Sequence, residues 1–139
     1  MKCLFVDVGY EFEELDEPLG IEVLYSYIKD KFEDVTCSSF WANCEGEDYT
    51  TLFDLEKPDI LAISTHVNTW KKLEKLYEQY EEWIKKRQQY QVLVLVGGIL
   101  GTFEFECVLK AYPDVICMIG EGEDAIESIV GILTEKKSI

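Results

Sequence analysis

Residues 91–123 constrain the fold more than any other stretch of the chain. The apolar run Gln91-Val-Leu-Val-Leu-Val96 breaks at Gly97-Gly98 and is followed by Thr102 and an amphipathic segment through Tyr112. A second apolar run, Asp114 to Ile119, then leads into Gly120-Glu-Gly-Glu123. Short runs rich in Val and Ile and cut off by glycine read as strands buried on both faces. Two such strands with a helix between them form a crossover unit, which requires a parallel sheet. Both strands end in glycine-bearing turns, at the sheet edge where open α/β folds hold ligands.

The other segments repeat the same alternation. Lys2 to Val8 reads as a first strand, Asp34 to Phe40 as a second and Ile60 to Ser64 as a third. Pro18 suits the first turn of a helix to about Lys31, carried by Leu24, Tyr27, Ile28 and Phe32 at helical spacing. Tyr49 to Glu56 reads as a short helix. The longest helix is expected over Thr69 to Gln88, with Trp70, Leu73, Leu76, Tyr77, Tyr80, Trp83 and Ile84 in one apolar stripe. That stripe reads as core. Glu81 with Lys85 and Glu82 with Lys86 take the favourable i, i+4 spacing on its outer face. A helix carrying Phe105, Val108, Leu109 and Tyr112 precedes the fifth strand, and one carrying Ala125, Ile126, Ile129, Val130 and Leu133 follows it. Five strands alternating with five helices predict an α/β fold, a single doubly wound, flavodoxin-like (Rossmann-like) parallel sheet of order 2-1-3-4-5. Residues 1–134 are expected to form this one domain and residues 135–139 a C-terminal tail.

Charge and composition exclude several classes of function. Thirteen Lys and Arg against 28 Asp and Glu give a formal net charge of −15, which opposes phosphate-tracking nucleic-acid binding and anionic membranes. The acidic surface either keeps the protein soluble or meets a basic partner. No apolar segment approaches the ~18 residues needed to cross a bilayer, and the N-terminus lacks a signal peptide's pattern. A cytoplasmic location is expected. The five cysteines (Cys3, Cys37, Cys44, Cys107 and Cys117) form no Cys-x-x-Cys pair, so reduced core thiols are expected rather than a disulfide framework or a zinc or iron–sulfur site.

The first loop then eliminates the familiar users of this architecture. It holds Gly9 alone, followed by Glu11, Glu13, Glu14, Asp16 and Glu17, which would repel a phosphate. It has neither the Gly-x-Gly-x-x-Gly of a dinucleotide binder nor the Gly-Lys-Ser/Thr of a phosphate-loop hydrolase. The hydroxyl residues with which a flavodoxin cradles its flavin phosphate are also missing. A receiver domain would end its third strand in Asp and its fifth near Lys, where this chain has Ser64 and Gly120.

Four pieces in order carry a more specific resemblance. They are Pro18-Leu-Gly-Ile at the first helix, Pro58-Asp-Ile-Leu-Ala-Ile-Ser64, Val94-Leu-Val-Gly-Gly98 with Thr102, and Gly120-Glu-Gly-Glu123. Together they resemble the cobalamin-binding domain found in front of the catalytic barrel in many radical S-adenosylmethionine enzymes. The resemblance covers nearly the whole chain, although each motif alone is weak. It implies a corrinoid over the C-terminal ends of the strands, with its nucleotide tail in the crevice of the sheet. Ser64 and Thr65 would then contact the tail, and Gly97 and Gly98 would let backbone pass beside it. Thr102 and the turn Gly120, Glu121, Gly122 and Glu123 would line the outer wall. Only glycine leaves no side chain where a bulky ligand nears the main chain. Each residue also has a plainer reading: Ser64-Thr65 as a strand terminator, Gly97-Gly98 as a left-handed turn, Thr102 as an N-cap, and Glu121, Glu123 and Asp124 as first-turn carboxylates facing the positive end of a helix.

Two departures accompany the resemblance. Carrier-type cobalamin proteins place Asp-x-His-x-x-Gly in the first loop, where the histidine ligates cobalt. This loop has no histidine, an absence common in the radical-enzyme branch. The only histidine, His66, follows the third strand and reads as a loop or tail contact. The chain also ends where the radical domain would begin, which implies a stand-alone subunit or an excised piece. The leading expectation is therefore a cobalamin-binding-like domain, without catalytic residues or a protein metal ligand of its own, that serves a separate radical S-adenosylmethionine enzyme or another protein partner. The alternative is a degenerate domain without cobalamin, acting as an acidic protein-interaction module.

Overall fold

The computed structural model describes residues 1–8, 19–41, 49–66, 69–87, 91–120 and 122–137. In chain order these form β1 (Lys2–Asp7), α1 (Leu19–Lys31), β2 (Thr36–Trp41), α2 (Tyr49–Glu56), β3 (Ile60–Thr65), α3 (Trp70–Lys85), β4 (Leu93–Gly97), α4 (Gly98–Phe103), α5 (Phe105–Ala111), β5 (Ile116–Cys117) and α6 (Glu123–Lys137). The strands make one parallel sheet of order β2-β1-β3-β4-β5. This is the doubly wound, flavodoxin-like α/β fold that the alternating pattern requires.

Because side chains alternate along a strand, each strand feeds both layers. Leu4, Val6, Leu61, Ile63, Val94 and Val96 point to one face, where Phe53 of α2 and Leu73, Leu76, Tyr80 and Trp83 of α3 cover them. Cys3, Phe5, Ile60, Ala62 and Leu95 point to the other, beneath Ile28 of α1 and Ile126 and Val130 of α6. The stripe read from α3 is core as expected: Leu73, Leu76, Tyr77, Tyr80 and Trp83 are buried, and Trp70 and Ile84 pack at its margin.

The structure departs from the sequence reading in several places. The single helix expected between the last two strands is two, α4 and α5, interrupted at Glu104. Thr102 lies inside α4 instead of capping a helix, because α4 begins directly from β4 with Gly97 in extended conformation at its N-cap. β5 pairs over only Ile116 and Cys117, through Leu95 and Val96. α6 continues to Lys137, into the segment expected as a tail. Among the described residues, neither Glu81 with Lys85 nor Glu82 with Lys86 forms an ion pair. The acidic loop Glu11 to Glu17, Pro18, Cys44 and Glu121 lie outside the described residues. The four described cysteines are free thiols.

Candidate functional site

The strand ends are drawn together at the carboxyl edge of the sheet by one close backbone approach. Gly98 has φ +80°, and a Cβ there would lie 2.2 Å from the Thr65 carbonyl oxygen and 2.7 Å from the Thr65 nitrogen. No side chain fits in that space, so glycine is required by the packing of α4 on the end of β3. Thr65, 1% exposed, reinforces the junction. Its hydroxyl donates to the Gly97 carbonyl at 2.6 Å and accepts from the Leu100 N–H at 3.0 Å.

Beside this junction lies a cavity of about 220 Å³. Its floor and sides are apolar: Phe5, Ala62 and Ile63 from the sheet, Leu24 from α1, and Met118 just past β5. Ser64, Gly97, Gly98, Gly120, Gly122 and Glu123 complete the lining. The glycines keep the space open. A Cβ at Gly97 would meet the Met118 Cε at 3.2 Å, and one at Gly122 would meet Leu24 Cδ1 at 3.6 Å. Gly120, with φ +76°, turns the chain between β5 and α6, and a Cβ there would have nothing within 4 Å.

Six of the nine residues singled out from the sequence therefore share one cavity: Ser64, Gly97, Gly98, Gly120, Gly122 and Glu123. Glu121 lies outside the described residues. Thr65 and Thr102 do not line the cavity. The Thr65 hydroxyl is committed to Gly97 and Leu100, while Thr102 accepts the Gly120 N–H at 3.0 Å and so holds the turn that forms one wall. The hydroxyl of Ser64, in contrast, has no hydrogen-bond partner among the described residues. Phe5, Leu24, Ala62, Ile63 and Met118 were missed. Strand alternation could have placed Phe5 and Ala62 on the same face, whereas nothing local marks Leu24 or Met118 as ligand-facing.

A second feature at this edge also escaped the sequence reading. Asp7, at the end of β1, is 2% exposed and holds the chain's only histidine, with both of its carboxylate oxygens 2.9 Å from His66 Nε2. Thr69 shapes the approach: its hydroxyl donates to the His66 carbonyl at 2.7 Å and accepts the His66 N–H at 3.0 Å. A carboxylate and an imidazole carried by adjacent strands are thus locked to each other across the β1–β3 step. Neither residue lines the apolar cavity.

No group of His, Cys, Asp and Glu able to hold a metal ion occurs among the described residues. Burial pushes the Cys3 thiol far above its ordinary range, with neighbouring Cys37 and Asp59 adding to it, and burial also raises Cys37 and Cys117. These are core thiols and poor nucleophiles. Among the described residues, no helix is long and apolar enough to cross a membrane. The arrangement at the strand ends is suited to holding a flat, largely apolar group between backbone walls, with one hydroxyl and one carboxylate at its margin.

No curated protein and no solved structure matches the chain. A family model described as the B12 binding domain matches residues 6–130, a span running from β1 into α6 and containing every residue of the cavity except Phe5. The chain belongs to the B12-binding domain family.

Proposed function

We propose that the protein holds a cobalamin at the carboxyl edge of its sheet and presents it to a separate radical S-adenosylmethionine enzyme. The observation that carries the first half is the glycine-walled cavity at the strand ends. It is too small for a corrin ring and suited to a planar heterocycle, which is the form of the cofactor's nucleotide tail. The residues present fit that tail: aliphatic and thioether carbons from Leu24, Ala62 and Met118 on its faces, and main chain at Gly97 and Gly122 where any Cβ would take up ligand space. Ser64 would donate its hydroxyl to the tail, and Glu123 would accept from N–H groups at the mouth.

The cofactor, when bound, would supply the organometallic chemistry, methyl carriage on cobalt. The chain's own residues bind and orient it. Residues 9–18 contain no histidine to offer a bound cofactor, and His66 is held by Asp7. The second half of the proposal, a partner covering this edge, is supported by Phe103 and Ile119. They are 76% and 61% exposed and are the chain neighbours of Thr102 and Gly120, the two residues whose bond holds one wall of the cavity. A cytoplasmic setting suits the free thiols and a partner that itself needs a reducing environment.

The test is an absorbance titration of the full chain with hydroxocobalamin and methylcobalamin, followed by desalting, on the native sequence and on Gly122→Phe. Gly122 carries no left-handed φ, and its Cβ has ordinary clearance, so the phenyl ring fills the cavity without forcing the backbone. The expected result is retained corrinoid, with the methyl form shifting to its base-off spectrum, and at least about tenfold weaker binding by the variant, a difference of about 1.4 kcal/mol. Equal retention by a folded Gly122→Phe would remove the cavity from the site. A native protein that stays colourless would defeat the proposal for the isolated chain.

A further inference from the structure

A second groove, of about 870 Å³, lies at the opposite edge of the sheet, between the C-terminal half of α3 and the turn from α5 into β5. Tyr77, Tyr80 and Tyr112 form its aromatic wall, and Glu81, Lys85 and Asp114 its charged margin. The rings are clustered: the centroids of Tyr77 and Tyr112 are 4.1 Å apart, and those of Tyr77 and Tyr80 are 5.4 Å apart. Tyr77 and Tyr80 are each only 7% exposed, yet none of the three hydroxyls has a hydrogen-bond partner among the described residues. A buried phenol without a partner is uncommon, because each unmade bond costs about 1–3 kcal/mol. Burial, Glu81 and Asp114 all push the pKa of the Tyr77 and Tyr80 phenols up, so these hydroxyls lie in the field of the carboxylates at the groove's margin. Glu81 and Asp114 themselves make no ion pair among the described residues.

The chemistry lacking here is a planar cation with several donors. α3 shows what such a group does when the chain supplies one. On another side of the same helix, the Arg87 guanidinium lies 4.7 Å over the Trp83 ring and pairs with Asp54. Aromatic face and carboxylate recur in the tyrosine groove without the guanidinium. A guanidinium stacks on rings and reaches two acceptors at once, whereas an ammonium does neither as well. The formal net charge of −15 draws basic partners to the molecule in general, and the groove gives that attraction a geometry.

We infer that the tyrosine groove between α3 and the α5–β5 turn is a docking site for an arginine-bearing segment of a partner protein. The arginine side chain lies against Tyr77 and Tyr112, donates to Glu81 and Asp114, and gives the Tyr77 and Tyr80 hydroxyls a hydrogen-bonding neighbour. The inference does not rest on the corrinoid reading, since the groove opens at the amino ends of β4 and β5, across the sheet from the glycine-walled cavity.

The test is a titration of the full-length, isotope-labelled chain with an acetylated Gly-Gly-Arg-Gly-Gly amide, followed by amide chemical shifts, with the citrulline peptide in parallel. Citrulline keeps the shape of arginine and removes its charge. The expected result is saturable shifts confined to residues 77–85 and 111–114, with the citrulline peptide at least about tenfold weaker. The pair Glu81→Gln with Asp114→Asn should weaken the arginine peptide by a similar factor. Asp30→Asn with Glu33→Gln, which removes the same charge from the α1 side, should leave it unchanged. Shifts scattered over the surface, equal binding of citrulline, equal weakening by the α1-side pair, or no saturation would each overturn the inference.

Discussion

Thr65 offers the sharpest test of how the carboxyl edge is built. Its hydroxyl makes two buried hydrogen bonds, to the Gly97 carbonyl at 2.6 Å and from the Leu100 N–H at 3.0 Å. Thr65→Val keeps the shape and removes both. It strands a carbonyl and an N–H where water does not reach, because Thr65 is 1% exposed and Leu100 2% exposed. Leaving a buried group unsatisfied costs about 1–3 kcal/mol, so the loss should be about 2–6 kcal/mol. With a urea m-value of about 1–3 kcal/mol per molar, a loss near the low-middle of that range moves the unfolding midpoint down by about 1–3 M. Thr65→Ser keeps the hydroxyl and gives up one buried methyl, about 0.8 kcal/mol, so it should recover most of the deficit. The measurement is equilibrium urea unfolding of all three proteins. A Val variant within about 0.5 kcal/mol of the native chain would refute the assignment of Thr65 as the brace of this junction. A Ser variant as unstable as Val would show that volume, not the hydroxyl, is what matters there.

Two further outcomes follow from the same structure. Gly97→Ala should be tolerated, because the one tight contact of its Cβ is with the end of the flexible Met118 side chain at 3.2 Å, whereas Gly98→Ala should cost more than about 3 kcal/mol or prevent folding, since its Cβ runs into Thr65 backbone at φ +80°; equal midpoints for the two in thermal or urea melts would contradict the close approach. Burial, then Glu81, pushes the Tyr77 phenol from 10.0 up to about 12, and Tyr80 and Tyr112 are raised for the same reason. Above pH ~10 the unfolded chain loses these protons first, so this contribution to stability is intact below that pH and declines as pH rises through about 12; a tyrosinate absorbance titration of the folded protein in which all eight tyrosines ionise together near 10 would refute it.

The sequence made the fold legible because its signals are periodic and repeat. Alternating apolar runs and helical stripes state the element order outright, and the order of the sheet follows from how short the connections are. The departures are places where tertiary contact overrides local pattern. Nothing local to residues 98–112 announces a break at Glu104, which follows from α4 being pulled onto Thr65 before α5 can pack on β5. The site was legible as glycine positions, since glycine at a strand end is rare without a reason. The distinction between lining and bracing was not. Ser64 and Thr65 are adjacent hydroxyl residues in the same motif, yet a strand turns them to opposite faces, one toward the cavity and one into the α4 junction. The Asp7–His66 pair was hidden for a different reason: its members are 59 residues apart and meet only because β1 and β3 are neighbours.

The cavity's place on the α1/α6 face, and not under α3, follows from which side each glycine leaves empty. Toward α3 the edge is filled by Leu100, buried against the core. Toward α1 and α6 the two helices are pinned from below. Tyr27 donates to one Glu127 oxygen at 2.7 Å, and Lys31 pairs with the other at 2.7 Å, over buried Ile28, Ile126 and Val130. Leu24 and Glu123 sit one helical turn above those contacts, toward the carboxyl edge of the sheet, and they are the helix-borne walls of the cavity. The space opens just where the clasp ends and where Gly97 and Gly122 decline to fill it. Its walls are therefore set by the core beneath them before any ligand arrives. A tail entering there loses its own freedom but does not have to order the protein around it, which is the condition under which a small cavity binds well.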